Sequence, residues 1–341
     1  MIESDDWGAI RTPSKSALDR MRARGFVSAD SIYSKDALER SDDLERLYEV
    51  LASVKGSDGR PAVLTANTIV ANPDFAAISE SGFERYLYEW TTATCCRYSA
   101  SETVPDLWNQ GIAEGLYRPQ FHGREHLHHR RWLVQLRAGE EATRFCFSMG
   151  STSSGRGDYS FMEALDWDSE SEVHQQGEEL VDGLEIFHQI FGYRSKSFIA
   201  PCYTWDPSLS SILARHGIEW LQGVRVQRVP NVEPGGYNVI PHFFGETNEE
   251  GQRFNVRNVH FEPVMAPNTD IVDRALSQVA IAFRFQRPAV INTHRVNYIG
   301  AIDPRNADFG LSRLKALLEG IVRKWPDVRF ISTDELPNHL S

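Results

Sequence analysis

Four short stretches bring together residue types that could do chemistry. The first is Ser4-Asp5-Asp6-Trp7-Gly8. Adjacent carboxylates repel each other, and a regular strand points them to opposite faces. If Asp5 and Asp6 face one pocket, a metal ion is the usual agent that offsets the repulsion; a capped turn is the plainer reading, since Asp and Gly are ordinary turn residues. The second stretch, Gln120 to His129, holds His122, His126, His128 and His129 out of the chain's 11 histidines. His122 and His126, at i and i+4, can bind one divalent ion from a helix turn or a tight loop. A solvated polar face is the alternative.

The second stretch also spells H-x-x-E-H, the pattern of a zinc peptidase with Glu125 as general base. That reading requires a helix through His122 and His126. Gly123 disfavours one by about 1 kcal/mol relative to Ala, and Pro119 lies just upstream. The third stretch, Phe198 to Pro207, follows an expected strand and opens a helix, with Asp206 as N-cap and Pro207 at N1. Its proline and aromatics suit a pocket wall with exposed backbone N–H groups. Cys202 is a poor candidate nucleophile, because no helix dipole or basic neighbour is evident to lower its pKa. The fourth stretch is Val290 to Asn297. His294, directly after a buried strand, stands where barrel enzymes gather catalytic side chains and is suited to acid–base work; a core histidine bonded to a carbonyl is the alternative.

The elements that must position these residues alternate. Helical periodicity marks residues 34–54, where Leu38, Leu44, Leu47, Leu51 and Val54 recur, and residues 171–191, 207–216, 270–285 and 311–325. Buried-strand patterns mark residues 62–66, 197–200, 218–221, 288–292 and 328–332. The alternation points to parallel βαβ units with function in the loops at the strands' C-terminal ends. The rhythm breaks between residues 224 and 263, which read as an antiparallel insertion. A barrel-like α/β single domain over residues 1–341 is the most economical architecture, and an open doubly wound sheet is its alternative.

Composition narrows the function classes. The 341 residues are 41% hydrophobic, enough for a full core, and carry a net charge of −11. A nucleic-acid partner is disfavoured, because binders of phosphate backbones show a basic excess. No stretch reaches the roughly 18 apolar residues of a membrane span, and the first residues show neither a basic leader nor an apolar segment. The 4 cysteines contain no C-x-x-C pair and are too few for a disulfide scaffold, which fits a cytoplasmic location.

Read in order, the four stretches resemble the polysaccharide deacetylase superfamily: carbohydrate esterase family four, with the NodB-homology fold. Asp5-Asp6 matches its Asp-Asp motif, His122-x-x-x-His126 its histidine motif, Pro201 its Pro-aromatic motif, and His294 its late strand ending in histidine. The wording Asp-Asp-Trp-Gly and His-Gly-Arg-Glu-His is similar to a divergent branch associated with bacterial O-antigen and capsule loci. The resemblance implies a distorted (β/α) barrel of about seven strands. It also implies Asp5 as catalytic base, Asp6, His122 and His126 as ligands of a divalent metal, most naturally zinc, and His294 as general acid. The implied activity is metal-dependent hydrolysis of the acetamido group of a sugar, free or carried on a nucleotide, lipid or polymer. Amide hydrolysis also needs an oxyanion donor, for which a backbone N–H near Cys202 or Tyr203 is the expectation.

Trp7, Tyr203 and Trp205 are candidate stacking surfaces for a sugar. Arg124, between the two histidines, suits an anionic group on the substrate, while Arg130 and Arg131 read as solvated. Arg295 and Asn297, just past the last motif, are further candidate substrate contacts. The sequence departs from the family pattern in three places. The arginine that usually orients the base is replaced by Ile199 and Ala200, leaving Arg11, Arg124 or Arg295 as substitutes. Cys202 stands where an aromatic often follows Pro201. The first strand is expected to be clipped. A non-catalytic sugar-binding protein on the same fold is therefore a second alternative beside the peptidase.

Overall fold

The computed structural model describes residues 1–28, 30–98, 103–157, 159–231 and 236–339. Its strands in chain order are β1 (Ile2–Trp7), β2 (Leu64–Thr68), β3 (Ala71–Pro73), β4 (Tyr88–Trp90), β5 (Tyr117–Phe121), β6 (Ser197–Ile199), β7 (Trp220–Gly223), β8 (Val226–Pro230), β9 (Tyr237–Pro241), β10 (Arg253–Val256), β11 (Val259–His260) and β12 (Ile291–His294). Eight of them form one sheet in the order β10-β7-β6-β5-β2-β1-β12-β11, and every pairing is parallel. The two edge strands, β10 and β11, follow each other in the chain with only Arg257 and Asn258 between them. The result is a distorted (β/α) barrel, with eight strands rather than about seven.

Strand β1 is buried along its whole length at an interior position of the sheet, between β2 and β12. Helices cover the outside. Leu44, Leu47 and Leu51 of Ser41–Ala52, Leu180, Leu184 and Phe187 of Glu172–Phe191, and Leu314, Leu318 and Ile321 of Pro304–Lys324 are all buried in one core. These are i, i+3/i+4 and i+7 positions, the stripe that a helix turns toward a sheet. Gly192 at φ 75° closes the helix Glu172–Phe191 in the left-handed conformation that favours glycine.

The structure revises several sequence expectations. Helix 34–54 is a 3₁₀ turn at Ile32–Lys35, an extended stretch, and then a helix at Ser41–Ala52. The extended stretch exists because Asp36 and Glu39 turn inward: Arg295 donates to Asp36 Oδ1 at 3.0 Å and to Glu39 Oε2 at 2.8 Å, with all three side chains fully buried. Residues 328–332 form no strand. They follow a turn, and a loop takes up their backbone, Ser57 N–H donating to Val328 O at 2.8 Å; just beyond them Thr333 N–H donates to Thr65 Oγ1 of β2 at 3.0 Å. In the insertion at 224–263 the antiparallel strands are those of the β8–β9 hairpin, with one further antiparallel bridge between Thr247 and Arg253; β10 and β11 complete the parallel sheet, and residues 232–235 lie outside the described residues.

Candidate active site

Asp5 stays in the β1 ladder, opposite His294 of β12, whereas the pairing of β1 with β2 shifts between Ser4 and Trp7. Asp6 has φ 75°. This irregularity defeats strand alternation and lets neighbouring carboxylates face one cavity. A left-handed backbone at a non-glycine residue costs on the order of 1–3 kcal/mol, and such strain collects at functional sites. Gly8 completes the turn at φ 79°: a Cβ there would lie 2.6 Å from the Ile69 carbonyl oxygen.

The histidines enter from the loop after β5. His122 N–H donates to Thr68 O at 3.0 Å, and its Nδ1 is 2.9 Å from Ile199 O, so Nδ1 carries the proton and Nε2 keeps its lone pair. Gly123, at φ 105°, turns the chain so that His126 returns to the same cavity. Asp6 Oδ1 then lies 3.6 Å from His122 Nε2 and 3.3 Å from His126 Nε2. Ligands about 2.1 Å from a tetrahedral ion stand about 3.4 Å apart, which these spacings match. His122 Nε2 is buried and has no hydrogen-bond partner among the described residues. Burial pushes the His126 pKa down to about 3, keeping it neutral. Burial alone would raise the Asp6 carboxyl, but Arg11 and the histidines hold it well below its ordinary value. A deprotonated Asp6, a neutral His126 and the Nε2 of His122, which has no hydrogen-bond partner among the described residues, make a donor set that suits a zinc-like ion. Arg11 occupies the other oxygen of Asp6, Oδ2, at 3.1 Å.

Asp5 is fixed from three sides. Arg257 Nη1 and Nη2 donate to its Oδ2 and Oδ1, each at 2.6 Å, and Asn67 Nδ2 donates to Oδ1 at 2.8 Å. Burial acts to raise this carboxyl, yet the Arg257 fork holds it at about 2. Arg257 also donates from Nε to Glu3 Oε2 at 2.8 Å and is itself 4% exposed. Across the cavity, His294 Nδ1 meets Glu262 Oε1 at 2.6 Å, and His294 Nε2 lies 3.8 Å from Asp5 Oδ2. Burial works against a charged imidazole there, but Glu262 lifts the pKa to about 9. His294 thus keeps its proton at neutral pH beside an ionised Asp5.

Asp5, Asp6, His122, His126 and His294 line one cavity of about 420 Å³, together with Arg11, Tyr33, Tyr203 and Arg228. A larger apolar cavity of about 480 Å³, beside Met1, Phe283 and Trp325, contains none of the five. Cys202 and Tyr203 adopt φ 54° and 58° at the cavity wall. Tyr203 N–H donates to Ala200 O at 3.0 Å, whereas the Cys202 N–H has no backbone acceptor among the described residues. Burial pushes the Cys202 thiol up, away from thiolate chemistry.

Five expected substrate contacts lie elsewhere. Trp7 is 1% exposed, part of the core, and its Nε1 donates to Ser4 Oγ at 3.0 Å. Trp205 is likewise core. Arg124 donates to Glu125 at 2.6 and 2.9 Å and to Asp182 at 3.1 Å. Arg295 is consumed by Asp36 and Glu39. Asn297 is fully buried and donates to Glu262 Oε2 at 2.6 Å, so it supports the carboxylate behind His294 instead of touching a ligand. Of the expected contacts, Tyr203 lines the cavity.

The peptidase geometry is absent: residues 122–126 are a loop, and Glu125 belongs to a separate group with His129 and Glu179, already neutralised by Arg124 and Arg130. The arginine that grips Asp5 is none of Arg11, Arg124 or Arg295. It is Arg257, some 250 residues from Asp5 in sequence and in no motif. Glu262 was missed for the same reason.

No family profile matches the sequence, and no curated protein matches it. Among solved structures the chain is similar to the peptidoglycan deacetylase PdaC from Bacillus subtilis, at 12% identity over 88% of this chain and 85% of that one, with a TM-score of 0.37. It is similar to a family 4 carbohydrate esterase from Streptomyces lividans, at 12% identity over 84% of each chain and a TM-score of 0.37. PuuE allantoinase is similar at 12% identity over 99% of this chain and 89% of that one, with a TM-score of 0.43.

Proposed function

We propose that this chain is a metal-dependent hydrolase that removes the acetyl group from an acetamido sugar. The observation that carries the reading is the convergence of Asp6, His122 and His126, all buried, with ligand atoms within 4.8 Å of one another, beside an ionised Asp5 and a protonated His294. A divalent ion, most naturally zinc, supplies Lewis-acid polarisation of the acyl oxygen and a lowered water pKa when bound there. Asp6 Oδ1, His122 Nε2 and His126 Nε2 are the atoms that would hold it.

The chain's own groups account for the proton transfers. Asp5, fixed by Arg257 and Asn67, takes the proton of the attacking water. Cys202 lines the cavity, and its N–H is the candidate donor to the developing oxyanion. His294 holds its proton on Nε2, because Nδ1 is occupied by Glu262, and delivers it to the departing amine. Tyr203 lies against Arg257, with its hydroxyl 3.3 Å from Nη1, and offers a ring edge to the sugar.

A role in assembling a bacterial surface polysaccharide, and a cytoplasmic setting, belong to the same proposal. They rest on the motif wording, on four free cysteines, and on the lack of any helix among the described residues long and apolar enough to cross a membrane. The test is acetate release from a panel of acetamido sugars by zinc-loaded protein. Release that disappears in Asp5→Asn and His294→Ala supports the reading, while sugar binding without acetate release assigns the fold to recognition alone.

A further inference from the structure

The β8–β9 hairpin stands at the rim of the catalytic cavity and is tied to its wall. Trp205 N–H donates to Arg228 O at 3.0 Å, and the Gln227 amide donates to Trp205 O at 3.1 Å. His242 Nε2 meets Gln227 Oε1 at 2.9 Å, and Tyr237 O–H donates to Asp166 at 2.9 Å. The hairpin is therefore fixed to the Pro201–Trp205 segment that carries Cys202 and Tyr203.

From this platform Arg228 lines the cavity that holds Asp5, Asp6 and the three histidines. Its side chain is exposed, and its cross-strand partner is Val239, 63% exposed, so both stand on the solvent face of the hairpin. The other cations at the cavity are committed: Arg11 to Asp6 and Asp36, His294 to Glu262. Arg228 has no carboxylate partner among the described residues; its guanidinium lies 5.9 Å from the Tyr237 ring centroid. Glu163, on the neighbouring loop, accepts instead from the Ser160 hydroxyl at 3.2 Å. A chain of net charge −11 repels anions in general. A guanidinium without a carboxylate partner, on a hairpin tied to the cavity wall, opposes that field locally.

Resting on the deacetylase reading, we propose that Arg228 recognises an anionic group of the substrate, which is thus an acetamido sugar bearing a phosphate or a carboxylate. A guanidinium fork pairs with either through two parallel hydrogen bonds.

The test is calorimetric binding to zinc-loaded Asp5→Asn protein, which reads recognition without turnover. The ligands are N-acetylglucosamine, its 1-phosphate, and the carboxylate-bearing N-acetylmuramic acid. At least one charged sugar should bind about tenfold or more tighter than the neutral one. The gap should close in Arg228→Ala and partly reopen in Arg228→Lys. Which charged arm shows the gap identifies phosphate or carboxylate as the group recognised. Equal affinities, no binding of either charged sugar, or a gap that survives in Arg228→Ala overturns the proposal. A gap that depends on Arg228 in a protein that releases no acetate when Asp5 is intact leaves anion recognition standing and removes the deacetylase reading; acetate release without a charge preference does the reverse.

Discussion

Arg257 grips both carboxylate oxygens of Asp5 at 2.6 Å while its Nε holds Glu3 at 2.8 Å. It leaves the chain between the two edge strands, β10 and β11, so one residue both ties that junction to β1 and keeps Asp5 ionised. Truncating it leaves two buried carboxylates uncompensated, a change worth about 3–5 kcal/mol of stability. Arg257→Ala should therefore unfold at markedly lower urea than the parent. The Asp5 carboxyl sits at about 2 against an ordinary 3.8, so its contribution to stability is complete above about pH 4 and is lost as the pH falls toward 2. Arg257→Ala should lose stability already at neutral pH, and its acid dependence should be flatter. An unchanged urea midpoint would contradict this.

In the proposed reaction the Glu262–His294 pair should set the alkaline limit. His294 is raised from 6.5 to about 9, so its charged form stabilises the fold fully below about pH 6.5, and that contribution is lost as the pH rises through about 9. Activity that needs the proton on His294 falls over the same upper range. Glu262→Gln should move the alkaline limb of kcat down toward the ordinary imidazole value of about 6.5. A limb that stays in place would separate the proton donor from His294.

Gly310 of the helix Pro304–Lys324 packs against the backbone of Asn297, and a Cβ there would overlap the Asn297 carbonyl oxygen. That backbone cannot yield cheaply, because the Asn297 side chain braces Glu262. Gly310→Ala should cost about 3 kcal/mol of stability through overpacking. It should also depress acetate release in the folded fraction by loosening the support of His294. A thermal midpoint equal to the parent's would refute this packing.

Glu125 and Asp5 separate the two hydrolase chemistries written into the same stretch. Glu125 is bound to Arg124, outside the cavity that holds Asp5. Asp5→Asn should lower acetate release by about 10²–10⁴-fold, and Glu125→Gln should retain it within about twofold. The opposite pattern would restore the peptidase reading.

The convergence of the candidate site was legible in sequence where chemistry is local. Asp5-Asp6, His122 with His126, and His294 each sit in a short run at the end of a strand, and the parallel alternation of strands and helices gathers such ends on one face. Arg257 and Glu262 were not legible, because their partners lie 252 and 32 residues away and no spacing rule links them. Trp7, Trp205 and Arg295 stand beside motif residues in sequence, but the irregular end of β1 and the turn after β6 pack the two indoles into the core, and Asp36 and Glu39 draw Arg295 inward. The helix expected over 34–54 failed at that same ion network, which apolar periodicity does not register.

Metal content tests the central claim most directly. Purified protein, stripped and then titrated with zinc, should bind one ion per chain, and Asp6→Asn and His122→Ala should each weaken that binding by at least about tenfold while remaining folded. A parent protein that takes up no ion, or variants that bind zinc as tightly as the parent, would contradict the convergence of Asp6, His122 and His126 on a single cation.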